Sequence, residues 1–403
     1  MLCRNAAQHR CNYKMKIVHT ADWHIGKVLN DYSLLEDQQF WFDRFIERLS
    51  EIRPDALVIA GDLYDRSIPS GEAVCLMNSI LCRIVLDLKI ETFLIAGNHD
   101  SRERLSFGSE LLERSGLHIA GRITGEISPI SLDSDAGKVN FYLLPYLEPH
   151  NVKSLFPEET IKTHDEAIRA YTVSMLEKVN PEEINILAAH GLFSCWDENA
   201  AGESAEISVG GSEMVNASPF GNFDYVALGH LHSFRNAGDS RMIYSGSPLK
   251  YSIDEANQKK GFCVVDLPRK GELSLSFETI SPLRDVRILE GSFEWLSQRE
   301  NHSGLEDYVF VNITDKTVVL NAISRLKAVF PNILGLRYVN LESAAADSLN
   351  RSRNVLRRLT NLELFEEFYQ TVTRESLTPE QTACAEAAFS DSEAGDDTKE
   401  AEE

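Results

Sequence analysis

Short apolar runs alternate with amphipathic segments through the first half of the chain, and this alternation predicts an α/β domain. Six apolar runs are expected to be buried strands: 16–21, 56–60, 92–96, 185–189, 225–228 and 242–245. Helices are predicted after the first strand and at 73–87. The apolar face of the first helix would consist of Leu34, Trp41, Phe45, Leu49 and Ile52. Ser33 and Glu36 have the spacing of a capping box at its start.

The pattern changes beyond residue 281. A strand at 308–314, a helix at 319–330 and a strand at 333–338 predict a small βαβ-like unit, which we expect to be a separate domain. Residues 351–370 follow with the periodicity of one helix face. Its apolar positions are Val355, Leu356, Leu359, Leu362, Phe365, Phe368 and Tyr369.

Length and composition fit a soluble globular protein with a sizeable core and a smaller domain. No apolar run is long enough to span a bilayer, so no membrane association is expected. Residues 1–14 lack the apolar core of a signal peptide and are expected to be poorly ordered, with Met15 a possible true start.

Seven scattered cysteines without a CxxC pair favour a reducing cytoplasm. Cys75 and Cys82 are expected to be small core residues.

The net charge of −22 argues against a protein that coats nucleic acid by bulk electrostatics. Part of this charge is local, because residues 378–403 hold nine acidic residues against Lys399 alone. That segment is expected to be a disordered, solvated tail. Bound cations would offset the charge of acidic metal ligands elsewhere. The acidity therefore weakens a nucleic-acid function without excluding it.

Five predicted strands end in residues that bind divalent cations. The strand-end motifs are Asp22-Trp23-His24, Gly61-Asp62, Gly97-Asn98-His99-Asp100, His190-Gly191 and Gly229-His230-Leu231-His232. Ligands of open α/β sheets bind beyond the carboxyl ends of the strands, so these motifs are expected to converge. Each alone is a weak signal, and a single histidine is more often structural. Five in order favour a metal site, and the mixed nitrogen and oxygen donors suit Mn²⁺, Fe²⁺ or Zn²⁺ better than Ca²⁺.

The motif series resembles the calcineurin-like metallophosphoesterase superfamily. Longer stretches resemble one branch, the nuclease subunits of bacterial SbcCD complexes: HTADWHIGK at 19–27, AGDLYD at 60–65, AGNHDS at 96–101, GHLH at 229–232 and YSGSPLKYS at 244–252. Archaeal and eukaryotic relatives usually carry His where this chain has Asp65, which favours the bacterial branch. The resemblance covers residues 15 to about 369. It implies an α/β two-sheet sandwich flanked by helices, a small α+β capping domain and a C-terminal helical segment.

The resemblance also implies roles for the strand-end residues. One metal would be held by Asp22, His24 and His232, and the other by Asn98, His190 and His230. Asp62 would bridge two divalent ions, with Mn²⁺ the leading choice. His99 would be the catalytic histidine that stabilises the phosphate or protonates the leaving oxygen, the alternative being a residue that only orients a ligand.

Three further expectations concern partners. Arg102 and Arg104 follow the third motif and could contact a DNA backbone, with solvated surface arginines as the equal alternative. The chain has no GxxxxGK[ST] motif, so it should not hydrolyse ATP itself.

The resemblance implies an SbcC-type coiled-coil ATPase partner in an assembly of two nucleases and two ATPases, hence a nuclease homodimer. The residues expected to bind the ATPase are Val355, Leu356, Leu359, Leu362, Phe365 and Phe368, although this helix could instead pack on its own domain.

The leading hypothesis is a metal-dependent DNA nuclease in end processing, repair and recombination. It would be a 3′–5′ exonuclease on double strands and an endonuclease on single strands or hairpins. The alternatives are a phosphomonoesterase or nucleotide phosphatase of the same superfamily and a non-catalytic scaffold on this fold. The expected segments are an extension at 1–14, a nuclease domain at 15–281, a capping domain at 282–345, a partner-binding segment at 346–377 and the acidic tail at 378–403.

Overall fold

A computed structural model describes residues 15–123, 127–134, 137–195 and 214–340, with short stretches at 365, 369–370, 377–379, 381–382 and 384–385. The predicted N-terminal extension and most of the partner-binding segment and acidic tail lie outside the described residues. Of the six predicted partner-binding side chains, only Phe365 is described.

The described chain has nineteen strands and eight α-helices. The strands are β1 (Met15–Thr20), β2 (Val28–Leu29), β3 (Tyr32–Ser33), β4 (Ala56–Ile59), β5 (Glu91–Ile95), β6 (Leu117–Ala120), β7 (Ile130–Ser134), β8 (Gly137–Leu144), β9 (Ile184–His190), β10 (Phe193–Ser194), β11 (Val215–Asn216), β12 (Tyr225–Gly229), β13 (Arg235–Asn236), β14 (Met242–Tyr244), β15 (Gly261–Arg269), β16 (Glu272–Thr279), β17 (Val286–Gly291), β18 (Tyr308–Ile313) and β19 (Ile333–Tyr338). The helices are α1 (Leu35–Ile52), α2 (Gly71–Leu81), α3 (Arg102–Leu105), α4 (Ser109–Glu113), α5 (Pro149–Leu155), α6 (His164–Lys178), α7 (Phe293–Leu296) and α8 (Ala322–Leu326).

Two six-stranded sheets form the larger of two compact units, which runs to Ile288 and includes His302–Phe310 and Phe330–Leu334. The first sheet has the order β16-β15-β1-β4-β5-β6, and its strands from β1 to β6 are parallel. The second has the order β13-β14-β12-β9-β8-β7, with β14, β12, β9 and β8 parallel. Antiparallel strands form three of the four sheet edges, and the fourth edge is the parallel strand β6.

The core consists of three apolar layers. The central layer joins the inner faces of the two sheets, where Phe93 of β5 stacks on Phe141 of β8 with ring centroids 3.9 Å apart. The outer face of the first sheet packs against α1 and α2 through residues that include Trp41 and Phe45. The outer face of the second sheet packs against α5 and α6. This arrangement confirms the predicted two-sheet α/β sandwich flanked by helices.

Two local predictions about the first helices are wrong. Leu34 is the N-cap of α1 and makes no side-chain cap hydrogen bond, and Glu36 pairs with Arg284 instead of closing a capping box. Cys75 and Cys82 are exposed. They lie off the buried face of α2, which is formed by Ala73, Met77 and Ile80 at helical spacing.

The smaller unit comprises Leu289–Asn301, Val311–Val329 and the chain from Gly335. The predicted helix at 319–330 is much shorter, because α8 covers only five residues. Asn321 precedes it with φ 55°, and the Val319 amide donates to the Tyr338 hydroxyl at 2.9 Å. That amide therefore belongs to a loop tied to β19. Strands β17, β18 and β19 form a three-stranded sheet in that order.

None of the described helices combines the length and the apolar character needed to cross a membrane.

The stacked pair Phe93 and Phe141 should make a large contribution to stability. We expect Phe93→Ala to lower the free energy of unfolding by about 3–5 kcal/mol, because it removes a fully buried ring and leaves a cavity between the sheets. Urea unfolding followed by circular dichroism measures the change. Ile68→Ala is the control, since Ile68 is 71% exposed and should change stability by less than about 0.5 kcal/mol. Equal losses in the two variants would contradict this account of the core.

Candidate metal centre

The strand-end residues of both sheets meet in one site. Asp22 follows β1, Asp62 follows β4 and Asn98 follows β5 in the first sheet, while His190 ends β9 and His230 follows β12 in the second. The backbone ladder of the first sheet continues past its strands, since the Asp22 amide donates to the Gly61 carbonyl at 3.0 Å. Parallel order within each sheet therefore carries these side chains to a common edge.

Four of the strand-end residues have left-handed backbone conformations. The φ angles are 54° at Asp22, 42° at His24, 51° at Asp62 and 108° at His230. Non-glycine residues rarely adopt positive φ, and such conformations persist where the surroundings hold them. Here the His24 amide donates to the Asp62 carbonyl at 2.9 Å, which couples two of these residues. Four of the eight described non-glycine residues with positive φ therefore lie in the site.

One group of donor atoms comes from Asp22, His24 and His232. The Nε2 atoms of His24 and His232 lie 3.1 Å apart. Asp22 is fully buried, and its Oδ1 accepts the His230 amide at 2.9 Å. Its Oδ2 has no hydrogen-bond partner among the described residues. Two facing ring nitrogens beside an unpartnered buried carboxylate oxygen are a donor set suited to a cation.

A second group surrounds the Asn98 amide. Its Oδ1 lies 3.0 Å from His190 Nε2 and 3.2 Å from His230 Nδ1. The other ring nitrogen of His190 lies 2.7 Å from the Ala60 carbonyl, which can only accept, so Nδ1 carries a proton. In the neutral ring the lone pair is then at Nε2 and directed at Asn98.

Asp62 lies between the two groups. Its Oδ2 is 3.6 Å from His24 Nε2 and 3.5 Å from His190 Nε2. Its Oδ1 accepts the His99 amide at 2.8 Å. This carboxylate is therefore placed to serve both groups, and the donor atoms of Asp22, Asp62 and His190 lie within 4.8 Å of one another.

Burial and charge shift the pKa values of these groups in opposite directions. Burial raises the pKa of Asp22 to about 6, and lowers the pKa of His24 to about 3 and that of His230 to about 4. For Asp62 the burial effect is outweighed by the adjacent His190, and its pKa lies well below the usual range. At His190 the effect of burial is also outweighed, because the charge of Asp62 raises the pKa of His190 to about 9. His24 and His230 are therefore neutral imidazoles beside buried carboxylates, which fits divalent cations, whereas a cation bound by His190 would displace the proton that Asp62 favours there.

His99 lies at the open side of this cluster. Its ring is exposed, and its centroid lies 4.8 Å from that of His24. Its Nδ1 lies 2.9 Å from the Asp65 carbonyl, so this nitrogen donates. Nε2 is then the nitrogen left to exchange protons or contact a ligand.

The two candidate DNA-binding arginines have different surroundings. The side chain of Arg102 is 15% exposed and pairs with Glu148 at 3.1 Å. Arg104 is exposed. Arg104 is therefore the more accessible of the two guanidinium groups.

Sequence reasoning missed several residues that hold the site in place. Asp100 is buried, and its carboxylate accepts the amides of Gly97 at 2.9 Å, Leu63 at 3.1 Å and Tyr64 at 3.0 Å. Its position inside the GNHD motif was the available signal. Gln38 of α1 donates to the His24 carbonyl at 2.8 Å, and Glu255 lies 2.9 Å from His232 Nδ1. Neither has a local sequence signal, because each reaches the site only through the tertiary fold.

Comparisons with known proteins agree with this geometry. The model of the calcineurin-like phosphoesterase family matches residues 15–234. The model of the type 5 capsule protein repressor C-terminal domain matches residues 282–373. Fold and site therefore define the class of calcineurin-like phosphoesterases, whose members use divalent metal ions.

A curated relative narrows the assignment. The SbcD component of nuclease SbcCD from Staphylococcus epidermidis is 34% identical over 369 residues, which is 91% of this chain and 96% of the relative. The chain belongs to the family of this SbcCD nuclease component, as the motif resemblance predicted.

Solved structures give weaker similarities. A dimetal phosphatase from Danio rerio matches with 13% identity and a TM-score of 0.39, covering 67% of this chain and 98% of that one. A Thermus thermophilus protein matches with 11% identity and a TM-score of 0.37, covering 66% and 99%. Neither similarity adds to the family assignment.

The close approach of Gly97 to Asp62 gives a test of the site. A Cβ at position 97 would collide with the Asp62 carboxylate and backbone nitrogen. We expect Gly97→Ala to weaken Mn²⁺ binding at least about tenfold and to cost about 1–3 kcal/mol of stability. Titration calorimetry with Mn²⁺ and urea unfolding measure the two effects. Gly71→Ala is the control, because a Cβ there meets nothing within 4 Å. A folded Gly97→Ala protein with unchanged Mn²⁺ affinity would contradict the role given to this contact.

Proposed function

We propose that this chain is the metal-dependent nuclease subunit of a DNA end-processing complex that works with an SbcC-type ATPase. The observation that carries the proposal is Asp62, whose carboxylate lies within 3.6 Å of one histidine from each donor group. A carboxylate shared in this way would hold two ions at the close spacing that two-metal phosphoester hydrolysis uses. The nuclease relative, matched over nearly its full length, supports DNA as the substrate rather than a phosphomonoester.

In this proposal one ion is held by Asp22, His24 and His232, and the other is held by Asn98, His190 and His230. Asp62 is a ligand of both ions. When bound, two divalent ions, with Mn²⁺ the leading choice, supply the Lewis acidity that phosphodiester hydrolysis requires. His99 acts from the open side of the site, because its Nδ1–H is fixed on the Asp65 carbonyl and its Nε2 remains for the phosphate or the leaving oxygen. Arg104 contacts the DNA backbone nearby.

The remaining assignments follow the same family. The activities are 3′–5′ exonuclease on double strands and endonuclease on single strands or hairpins, in repair and recombination in the cytoplasm. Residues 15–281 form the nuclease domain, residues 282–345 the capping domain, and residues 346–377 bind the ATPase. The match of a separate family model to residues 282–373 supports a distinct C-terminal region.

A substitution at His99 tests the function. We expect His99→Ala to lower the rate of Mn²⁺-dependent cleavage of end-labelled duplex by about 10²–10⁴-fold, because it removes the proposed proton donor. Mn²⁺ binding should be retained, since His99 is not a proposed ligand. His150→Ala is the matched control, because His150 is an exposed histidine outside the site. Turnover of a small phosphomonoester without any cleavage of DNA, with or without the ATPase, would favour the phosphatase alternative.

An exposed apolar surface supports the proposed homodimer. Phe107 is 87% exposed and Leu111 is 74% exposed, and Leu112 beside them is also exposed. All three lie in the segment of α3 and α4 that follows the third ligand motif. A cluster of this kind commonly marks a protein interface.

We expect Leu111→Asp to convert the dimer to a monomer, because a charge would be buried in an apolar interface. Light scattering after size-exclusion chromatography gives the mass. Val173→Asp is the control, since Val173 is an exposed apolar residue on α6. A Leu111→Asp protein with the mass of the wild-type dimer would place the interface elsewhere.

A further inference from the structure

Glu255 fixes the ring of one proposed metal ligand. Its Oε1 lies 2.9 Å from His232 Nδ1, and because a carboxylate oxygen only accepts, Nδ1 carries the proton. In the neutral ring the lone pair is then at Nε2, the atom that lies 3.1 Å from His24 Nε2. Glu255 thus selects the tautomer of His232 that can bind a cation, as carboxylates do behind metal-bound histidines.

Lys260 fixes both Glu255 and the backbone of the same histidine. Its Nζ lies 2.5 Å from Glu255 Oε2 and 2.7 Å from the His232 carbonyl oxygen. The same ammonium lies 2.9 Å from Ser247 Oγ and 2.8 Å from Gln258 Oε1, so its three N–H groups are shared among four oxygen atoms. One lysine therefore holds the main chain of His232 directly and its ring through Glu255.

The pair is buried behind the site. Glu255 is 6% exposed and Lys260 is 8% exposed. One oxygen of the Glu255 carboxylate accepts from His232 Nδ1–H, and the other faces the Lys260 ammonium. Both charges are therefore compensated inside the protein, and a change to one partner alone leaves the other unpaired.

The corresponding arrangement at His24 is looser. Its Nδ1 lies 3.8 Å from Asp65 Oδ1, which is beyond hydrogen-bond distance, and Asp65 pairs with the partly exposed Lys27. Of these two ligands, His232 alone has its Nδ1 within hydrogen-bond distance of a carboxylate that is paired with a lysine.

We infer that Glu255 and Lys260 form a positioning unit for His232 and set the affinity of the metal position that Asp22, His24 and His232 form. Neither residue needs to contact the substrate. The inference rests on the proposed two-metal site, but it concerns metal affinity and not the reaction. Its test is therefore independent of DNA cleavage.

The experiment is titration of the full-length chain with Mn²⁺ by calorimetry. We expect Glu255→Gln to weaken one of the two Mn²⁺ positions by about 10–100-fold, because glutamine removes the charge that orients His232 and balances Lys260. The other position should keep its affinity. His232→Ala identifies the affected position, since it should abolish the same binding event. Glu255→Asp, which keeps the charge on a shorter side chain, should bind Mn²⁺ more tightly than Glu255→Gln.

Asp224→Asn is the matched control. Asp224 is also a buried carboxylate paired with a lysine, Lys270, at 2.6 Å, and it accepts the Asn185 amide at 2.8 Å. It precedes β12, at the opposite end of that strand from His230. The variant should lose stability and retain both Mn²⁺ affinities, which separates positioning from general destabilisation.

The double variant Glu255→Gln/Lys260→Met leaves no unpaired charge and answers the same question if Glu255→Gln does not fold. Weakening of a single Mn²⁺ position in the double variant supports the inference. Wild-type Mn²⁺ affinities in either folded variant would overturn it. If the wild-type chain binds two Mn²⁺ ions but cleaves no DNA, the proposed function fails while the positioning unit stands.

Discussion

The site depends on one buried carboxylate that serves two donor groups. Asp62 adopts a left-handed backbone conformation, and its side chain lies between His24 and His190. Several other features follow from that placement. Gly97 has to lack a side chain because the carboxylate occupies the space, and Asp100 holds the two loops around it by accepting three amides. The His99 amide, which donates to Asp62 Oδ1 at 2.8 Å, offsets part of the cost of burying the carboxylate.

The two-sheet sandwich makes this arrangement possible. Each sheet contributes parallel strands that end at the same edge, and the apolar layer between the sheets sets their separation. Side chains on short loops after the strands then need to reach only a few ångströms to meet. The scaffold supplies rigidity, and the loops supply strained conformations that a flexible surface could not maintain.

Six of the twelve sandwich strands and the ligand motifs could be predicted from sequence because both are local signals. Each predicted strand of the sandwich lies within about one residue of its observed position, as expected for buried parallel strands, which are continuous apolar runs.

The capping box at Ser33 and Glu36 could not be judged locally, since Arg284 competes for Glu36 from 248 residues away. Gln38 and Glu255 were missed for the same reason. Their partners are set by tertiary contacts, and a glutamine on a helix or a glutamate in a turn has no distinctive spacing. The burial of Cys75 and Cys82 was misjudged because their seven-residue spacing places them on one helix face without saying which face is buried.

Each donor group draws on both sheets: His232 from the second sheet joins Asp22 and His24 from the first, and Asn98 from the first joins His190 and His230 from the second. In the proposed two-metal site, each bound cation would therefore crosslink the two sheets of the sandwich. An ion bound only by the folded state adds RT ln(1 + [M]/Kd) to stability, about 2.7 kcal/mol at a hundredfold excess over Kd. Removal of the metal by a chelator would therefore lower the free energy of unfolding as well as inhibit the enzyme.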